Sequence, residues 1–396
     1  MKCIKSATKA ICAQTLMLVS LLASYLGLVL IVQLLDMSVD YSISTVKVTQ
    51  QAFDREKDSG RDDSWVGVPF NDTTGLFWFV HVTDIHISKW ETSRDGHKTR
   101  AEDLQDFCKF MNGVIKPKVT VVGGDLTDST GKSNHFVSDQ YEEEWVTYQT
   151  VSKECQASTD NWLDIRGNHD DMNVESYDAP NSYYTTYGVQ GKTKGSYLKK
   201  FQEEDGRKFA IVMIDSTLQP GPKKMLDLFG SIKEPDLNLT RQLMSEADDY
   251  NDSGLVTVGH YPLNFIASTG SESLESVFGR HRTLAYLSGH LHNAYIWRGG
   301  PGRMYTKRSE GVMELELGDW KKNRLFRLLA IDRGRLSFID HQYKPGQPDD
   351  NKNLVLITNP LDAQFIFSPD IRGSFQMMKE STHIRHIHLL VVKIML

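Results

Sequence analysis

The chain has 396 residues, of which 40% are hydrophobic and 24% are charged, so it is long enough for one large domain or two. Its net charge is -6 and it contains no long basic block, which argues against a nucleic-acid-binding surface. These quantities leave the oligomeric state open.

An apolar segment near the N-terminus is the first distinct feature. Residues 10–35 carry no charge and are long enough to cross a bilayer as a helix. Lysines within residues 1–9 predict a cytoplasmic tail. We therefore predict a signal anchor at 10–35 that attaches the protein to a membrane in a single pass, with the rest of the chain lumenal or extracellular. A cleaved signal peptide is the alternative.

The segment that follows, residues 36–75, is polar with little periodicity and is predicted to be a linker. Three N-x-S/T sequons fit an exported body and make Asn71, Asn238 and Asn251 candidate glycosylation sites. Only two cysteines, Cys108 and Cys155, lie in the body of the chain. A disulfide and two buried free thiols are equally consistent with this pattern.

From residue 76 onwards, apolar strands alternate with helices. Strands predicted at 76–83, 119–122 and 162–165 are separated by helices around 104–115 and 141–155. This order is typical of a mostly parallel sheet flanked by helices. Further predicted elements are a hairpin of 197–201 with 209–214, a helix at 237–247, and strands at 255–258, 284–287, 313–317, 325–331 and 336–339.

Five of these strands end in loops that carry metal-ligand side chains, which are, in chain order, Asp84 and His86, Asp125, Asn168 and His169, His260, and His290 and His292. Because sites in α/β folds form at the carboxyl ends of strands, we expect these side chains to meet at one edge. They are too many for one tetrahedral ion and suit two adjacent divalent ions bridged by a carboxylate. The Asp-x-His and His-x-His spacings predict that each pair lies on one face of an extended strand.

These five motifs, in this order, resemble those of the calcineurin-like metallophosphoesterases. The resemblance implies an α/β fold in which a β-sandwich is flanked by helices (αββα), here at residues 76–371 and preceded by the predicted membrane helix. It implies that one ion is held by Asp84, His86 and His292. It implies that the other ion is held by Asn168, His260 and His290, with Asp125 bridging both.

The same resemblance assigns the chemistry. His169 lies beside the metals and acts on the leaving group or binds phosphate, and Asp128 orients it. The implied reaction is hydrolysis of a phosphate mono- or diester by a metal-bridging hydroxide, with Mn, Fe or Zn as the candidate ions. The alternative is a metal-stabilised, non-catalytic scaffold of the same fold that binds a protein partner. The presence of His169, Asp128 and every implied ligand favours the enzyme.

Further short matches, including Gly221-Pro222-Lys223 and residues 315–320, resemble a branch of the family that continues into a β-rich domain and several membrane helices. Residues 372–396 look like the truncated start of that continuation. A tyrosine-rich stretch at 177–187 directly follows the third metal loop. It either lines a substrate cleft or packs in the core.

Overall fold

A computed structural model describes residues 76–93, 98–132, 137–156, 159–224, 226–252, 254–281, 283–292, 305–332, 334–347, 353–362, 365 and 384–390. The predicted tail, signal anchor and linker at 1–75, with the Asn71 sequon, lie outside these residues, as does most of the predicted segment 372–396. In the part of the chain that is described, no helix is both long and apolar enough to span a bilayer.

The strands of the described residues are β1 (Leu76–Val82), β2 (Thr120–Val122), β3 (Trp162–Asp164), β4 (Tyr197–Gln202), β5 (Lys208–Ile214), β6 (Gly230–Ile232), β7 (Leu255–Gly259), β8 (Ile266–Ser268), β9 (Thr283–Ser288), β10 (Tyr305–Lys307), β11 (Met313–Glu316), β12 (Leu325–Asp332), β13 (Arg335–Gln342), β14 (Asn353–Asn359) and β15 (Arg385–Leu390). The helices are α1 (Arg100–Phe110), α2 (Glu142–Cys155), α3 (Asn168–Asp171), α4 (Tyr184–Tyr187), α5 (Glu234–Tyr250), α6 (Leu274–Gly279) and α7 (Trp320–Asn323). A π-helical turn at Met111–Ile115 continues α1.

Two mixed sheets form the centre of the fold. The first has the order β13-β12-β1-β2-β3, and the second has the order β10-β11-β9-β7-β5-β4. Each contains a parallel run, β1-β2-β3 and β5-β7-β9-β11, bordered by antiparallel strands. The predicted parallel arrangement is confirmed for β1, β2 and β3, but the sheet that contains them is mixed and a second sheet packs against it. Strands β12 and β13 join the first sheet from a distant part of the chain, which local periodicity does not record.

The layers follow from which face of each strand is apolar. In β1, Phe77 and Phe79 point between the two sheets, where they pack with residues of the second sheet such as Met213. Val80 and Val82 point outward to a core shared with α1 and α2. On the other side, α5 and α6 cover the second sheet. Because both faces of each sheet are buried, the order of layers is αββα, which confirms the fold that the motifs imply.

Helix α1 shows how local sequence sets an element boundary. The Thr99 hydroxyl accepts a hydrogen bond from the amide of Glu102, and the Glu102 carboxylate accepts one from the amide of Thr99. This capping box satisfies two amide groups that the first turn leaves unpaired. The helix starts four residues before Leu104, the first periodic apolar residue, because the cap at Thr99 sets its start.

Two small sheets were not predicted. β6 pairs with β8 in parallel, and β14 pairs with β15 in antiparallel fashion. Leu354, Leu356 and Ile387 of the second pair lie in the same buried cluster as the outer face of the first sheet. Residues 384–390, which the sequence places in the tail, thus pack against the sandwich.

The two sequons within the described residues differ in exposure. Asn238 is exposed on α5, whereas Asn251 is only 4% exposed. The side-chain amide of Asn251 donates to the carbonyl of Ala247, and its oxygen accepts from the amide of Gly254. Of the two described sequons, Asn238 is therefore the one that is presented to solvent.

A disulfide joins α1 to α2 through Cys108 and Cys155, whose Cα atoms are 4.9 Å apart. Both cysteines are buried beside the outer face of the first sheet. The alternative of two free thiols, which the sequence leaves open, does not describe this structure.

Removal of this disulfide is expected to destabilise the domain. The bond closes a loop with a sequence separation of 47 residues, so the double variant C108A/C155A should lose about 2–4 kcal/mol of unfolding free energy, because the unfolded chain regains conformational entropy. Urea unfolding with and without reductant measures this loss. Reductant should lower the stability of the wild type and leave the variant unchanged; equal effects on both proteins would contradict the expectation.

Candidate metal centre

The five predicted loops follow β1, β2 and β3 of the first sheet and β7 and β9 of the second, so they meet where these strands end. Main-chain hydrogen bonds join the first two loops, from the amide of Asp84 to the carbonyl of Gly124 and from the amide of His86 to the carbonyl of Asp125. The amide of Gly289 donates to the carbonyl of His260 in the same way on the other sheet. The edge of the sandwich is thus built from paired backbones.

Five of the candidate ligands have left-handed backbone conformations: φ is 54° at Asp84, 53° at His86, 52° at Asp125, 76° at His290 and 54° at His292. These residues lie beyond the last residues of their strands, so the expectation that Asp-x-His and His-x-His alternate along an extended strand is wrong. A left-handed residue other than glycine costs about 1–3 kcal/mol and persists only where its surroundings fix it. Such strain is common at functional sites.

The first donor group consists of Asp84, His86, Asp125 and His292, whose ligand atoms lie within 4.8 Å of one another. Nε2 of His292 is 3.0 Å from Oδ1 of Asp84 and 2.9 Å from Nε2 of His86. Oδ2 of Asp125 is 3.3 Å from the same nitrogen of His86. Three of these side chains are fully buried or nearly so. The four residues therefore enclose one small space with nitrogen and oxygen atoms.

The second donor group consists of Asn168, His260 and His290, together with the other oxygen of Asp125. Oδ1 of Asn168 is 2.8 Å from Nε2 of His260 and 2.9 Å from Nδ1 of His290. Oδ1 of Asp125 is 3.4 Å from Nε2 of His260. The carboxylate of Asp125 thus faces one donor group with each oxygen.

The protonation of these rings shows what the second group is built to hold. Nδ1 of His260 lies 2.8 Å from the carbonyl oxygen of Gly123, and Nε2 of His290 lies 2.9 Å from that of Leu228. A carbonyl oxygen only accepts hydrogen bonds, so each of these two nitrogens carries the proton of its ring. Burial, and for His290 the neighbouring His260, lowers the pKa of both rings, to about 3 for His290. The neutral rings therefore point unprotonated nitrogens at an amide oxygen. Lone pairs that converge without a proton between them fit a cation.

The buried carboxylate of Asp125 leads to the same conclusion. Burial and the nearby carboxylates of Asp84 and Asp170 raise its pKa well above the usual range. An ionised Asp125 therefore requires positive charge beside it. Two divalent ions, one in each donor group, would supply that charge, and the residues present are compatible with two such ions.

His169 lies beside the first donor group and outside both. Its ring contacts the ring of His86 edge-on, with the centroids 4.4 Å apart, and its Nε2 is 4.0 Å from Oδ2 of Asp125. Nδ1 bonds the main-chain carbonyl of Asp128. Burial, and then the charge of Lys321, lowers the pKa of His169 well below its usual value. The neutral ring thus donates from Nδ1 and presents Nε2 to the site as a proton acceptor.

The resemblance implies that the carboxylate of Asp128 orients His169, but the main-chain carbonyl of Asp128 makes that contact. The carboxylate lies 3.1 Å from Nδ1 of His86 and accepts hydrogen bonds from Thr130 and from Nζ of Lys321. Burial alone would raise the pKa of Asp128, but His86 and Lys321 outweigh burial and hold it far below its usual value. Asp128 therefore orients His169 through its backbone and orients His86 through its side chain.

Two supporting residues, Asp170 and Asp227, have no role in the sequence-based prediction. The carboxylate of Asp170 accepts hydrogen bonds from the amides of Gly167, Leu126 and Thr127, and so ties the third loop to the second. Asp227 accepts a hydrogen bond from the side-chain amide of Asn168. Asp170 is the last residue of the third motif, whereas Asp227 lies 59 residues from its partner and outside every motif.

Two glycines permit the close approach of these loops. A Cβ atom at Gly167 would lie 2.2 Å from Oδ1 of Asp125, and one at Gly289 would lie 2.3 Å from Oδ2 of Asp84. Both distances are far below contact distance, so any side chain at either position would displace a candidate ligand. The glycines that precede the ligands in the motifs therefore have a steric function.

The tyrosine-rich stretch supports the site by packing. The ring of Tyr177 stacks on the buried guanidinium of Arg166, 3.8 Å from the ring centre, and its hydroxyl donates to Asp215. Arg166 in turn donates from Nε to the same carboxylate at 2.9 Å. Tyr184 is buried and its hydroxyl donates to the carbonyl of Asp164. These two tyrosines therefore fix the segment that leads into Asn168, as the packing alternative predicts.

An αββα sandwich with two groups of nitrogen and oxygen donors at one edge defines a metal-binding α/β domain. The model of the calcineurin-like phosphoesterase family matches residues 77–294, which is more than half of the chain. The chain therefore belongs to the calcineurin-like phosphoesterase family, as the five motifs predict.

Individual proteins are also similar to this chain. Transmembrane protein 62 of Mus musculus is 32% identical over 318 residues, which are 80% of this chain and 46% of that protein. A protein of Arabidopsis thaliana is 30% identical over 340 residues, with coverage of 76% of this chain and 44% of that protein. The chain thus spans less than half the length of either relative. Among solved structures, a dimetal phosphatase from Danio rerio has 15% identity and a TM-score of 0.41, and the match covers 68% of this chain and 99% of the other.

Proposed function

We propose that this chain is a dinuclear metal-dependent phosphoesterase that hydrolyses a phosphate mono- or diester. The observation that carries the proposal is the shared carboxylate of Asp125, which turns one oxygen to each of two groups of candidate metal ligands. In this proposal Asp84, His86 and His292 hold one ion, and Asn168, His260 and His290 hold the other. When bound, two such ions polarise phosphate oxygens and lower the pKa of a water that attacks phosphorus.

The side chains around the ions bind and orient the ester. Lys321 is held beside the centre by its hydrogen bond of 2.7 Å to Asp128. Lys224 is half-buried, and the charged groups that act on it are Lys321, Asp128, Asp227 and Asp125. Its main-chain amide donates a hydrogen bond to the hydroxyl of Ser138. Within the described ranges, the Lys224 ammonium group has no ion pair. A cation placed in this way attracts the negative charge of a phosphate ester.

His169 is the residue that handles the proton. Its Nε2 faces the centre and its Nδ1 is fixed by the carbonyl of Asp128, so the ring cannot turn away without losing a buried hydrogen bond. The unprotonated Nε2 can accept a proton from the attacking water and then return it to the leaving alkoxide of the ester. The buried surroundings of His169 exclude competing water from this transfer.

We further propose that the domain is lumenal or extracellular and is anchored by the segment 10–35. The disulfide between Cys108 and Cys155 supports an oxidising compartment, because such bonds are rare in the cytosol. The charge pattern of residues 1–35 supports the same orientation. The name of the Mus musculus relative describes that relative as a transmembrane protein.

Loss of the shared carboxylate is expected to abolish activity. The variant D125N keeps the size of the side chain but removes the negative charge that both ions require, so hydrolysis of an aryl phosphate by the metal-loaded domain should fall to background. Steady-state assays of a phosphomonoester and a phosphodiester measure this loss, and a chelator should reproduce it in the wild type. The exposed Asp178→Asn variant serves as the control. Unchanged activity in D125N would refute the mechanism.

Substitution of Lys224 tests the binding of the phosphate charge. In Lys224→Met the side-chain length is kept and the charge is lost, and we expect kcat/KM to fall about 5-fold, since a partly exposed ion pair contributes roughly 1 kcal/mol. The exposed neighbour Lys223 provides the matched control, Lys223→Met. Equal kinetic constants for the wild type and Lys224→Met would show that this lysine does not contact the ester.

Glycosylation at Asn238 tests the topology. Because Asn238 is exposed on α5, we expect the full chain expressed in animal cells to carry a glycan there. The variant Asn238→Gln should therefore migrate faster on a gel, by the apparent mass of one glycan. Endoglycosidase treatment of both proteins provides the comparison. Identical mobility of the treated and untreated wild type would argue against a lumenal domain.

A further inference from the structure

The connection between β5 and β6 reaches the second donor group from outside. Asp227 of this connection is 7% exposed, and its Oδ2 accepts a hydrogen bond of 2.8 Å from Nδ2 of Asn168. The carbonyl of the next residue, Leu228, lies 2.9 Å from Nε2 of His290. Phe229 then stacks on Phe265, whose ring also contacts His290. Asp227 and Leu228 thus contact the second group directly, and Phe229 reaches it through Phe265.

The contact with Asp227 decides which end of the Asn168 amide faces inward. An asparagine side chain has an oxygen that accepts and a nitrogen that donates, and the two are nearly equal in size. A carboxylate only accepts hydrogen bonds, so Asp227 selects the orientation in which the nitrogen of Asn168 points outward. The oxygen then points at Nε2 of His260 and Nδ1 of His290. The opposite orientation would present N–H groups to a cation.

We propose that Asp227 is a positioning residue for the second divalent ion, because it holds the Asn168 amide with its oxygen toward the ion. The carbonyl of Leu228 does the equivalent for His290, since it takes the proton at Nε2 and leaves Nδ1 as the ligand atom. This inference rests on the proposed dinuclear centre and adds the residues that select its ligand atoms. None of the recognised motifs contains them.

Removal of the carboxylate tests the proposal through metal binding. In D227A the Asn168 amide loses its acceptor, and the dissociation constant of the more weakly bound ion should rise about 10–100-fold, while the first ion is retained. The variant D227N keeps one acceptor oxygen, so its affinity for this ion should fall less than that of D227A. Calorimetric titration of the full chain with Mn²⁺, together with elemental analysis, gives affinity and stoichiometry. The exposed Asp178→Ala variant is the control.

An exchange of the two side chains separates positioning from plain structural support. N168D sets two carboxylates against each other across the 2.8 Å contact, and it should bind one ion. In the double variant N168D/D227N the hydrogen bond is restored in the reverse direction, from the residue 227 amide to the residue 168 carboxylate. The double variant should therefore regain the second ion. A merely structural Asp227 predicts no such recovery.

Each outcome distinguishes this inference from the function on which it rests. If the wild type binds fewer than two Mn²⁺ ions, the dinuclear centre is wrong and the role of Asp227 is wrong with it. If the wild type and D227A bind two ions with equal affinity, only the role of Asp227 is overturned. A double variant that binds no more tightly than N168D overturns it as well. Thermal unfolding of the metal-free proteins identifies any variant that fails to fold, and D227N then decides the question.

Discussion

The carboxylate of Asp125 is the group on which the rest of the site depends. It is almost completely buried, it lies near the carboxylates of Asp84 and Asp170, and it turns one oxygen toward each sheet's histidines. Such a charge is tolerated in a protein interior only beside compensating positive charge. The two ions of the proposed centre and the hydrogen bond from the His169 amide provide this compensation. The bridge also connects the loops of one sheet with those of the other.

The candidate ligands come from loops of two sheets, and they meet at one carboxylate only because several residues adopt rare backbone conformations. Asp84, His86 and Asp125 adopt left-handed conformations just after their strands, and glycines at 167 and 289 leave no room for a side chain. The strain is offset by buried polar contacts outside the ligands. The carboxylate of Asp170 accepts hydrogen bonds from three main-chain amides. The guanidinium of Arg166 is fixed between Asp215 and the ring of Tyr177. Rigid surroundings of this kind hold ligands at fixed distances before any ion binds.

Prediction succeeded where the signal is local. The apolar strands that precede Asp84, Asp125, Asn168, His260 and His290 were found from their composition, and each predicted loop lies where its strand ends. Prediction failed where distant segments meet. The partition of the strands into two mixed sheets depends on β12 pairing with β1, more than 200 residues earlier in the chain. The two-residue spacing of Asp84 and His86 also suggested extended backbone, although tertiary hydrogen bonds impose a left-handed one.

By itself, the sequence determined the family, the fold class and the identities of the side chains that meet at the site, because strand composition and motif order are properties of short segments. Only the tertiary structure decided how those side chains are held: that the backbone of Asp128 fixes His169, that Cys108 and Cys155 are joined, and that Asp227 orients Asn168. Each of these contacts links residues that are remote in the chain. Burial in a shared core brings them together, and neither composition nor periodicity encodes which remote partners meet.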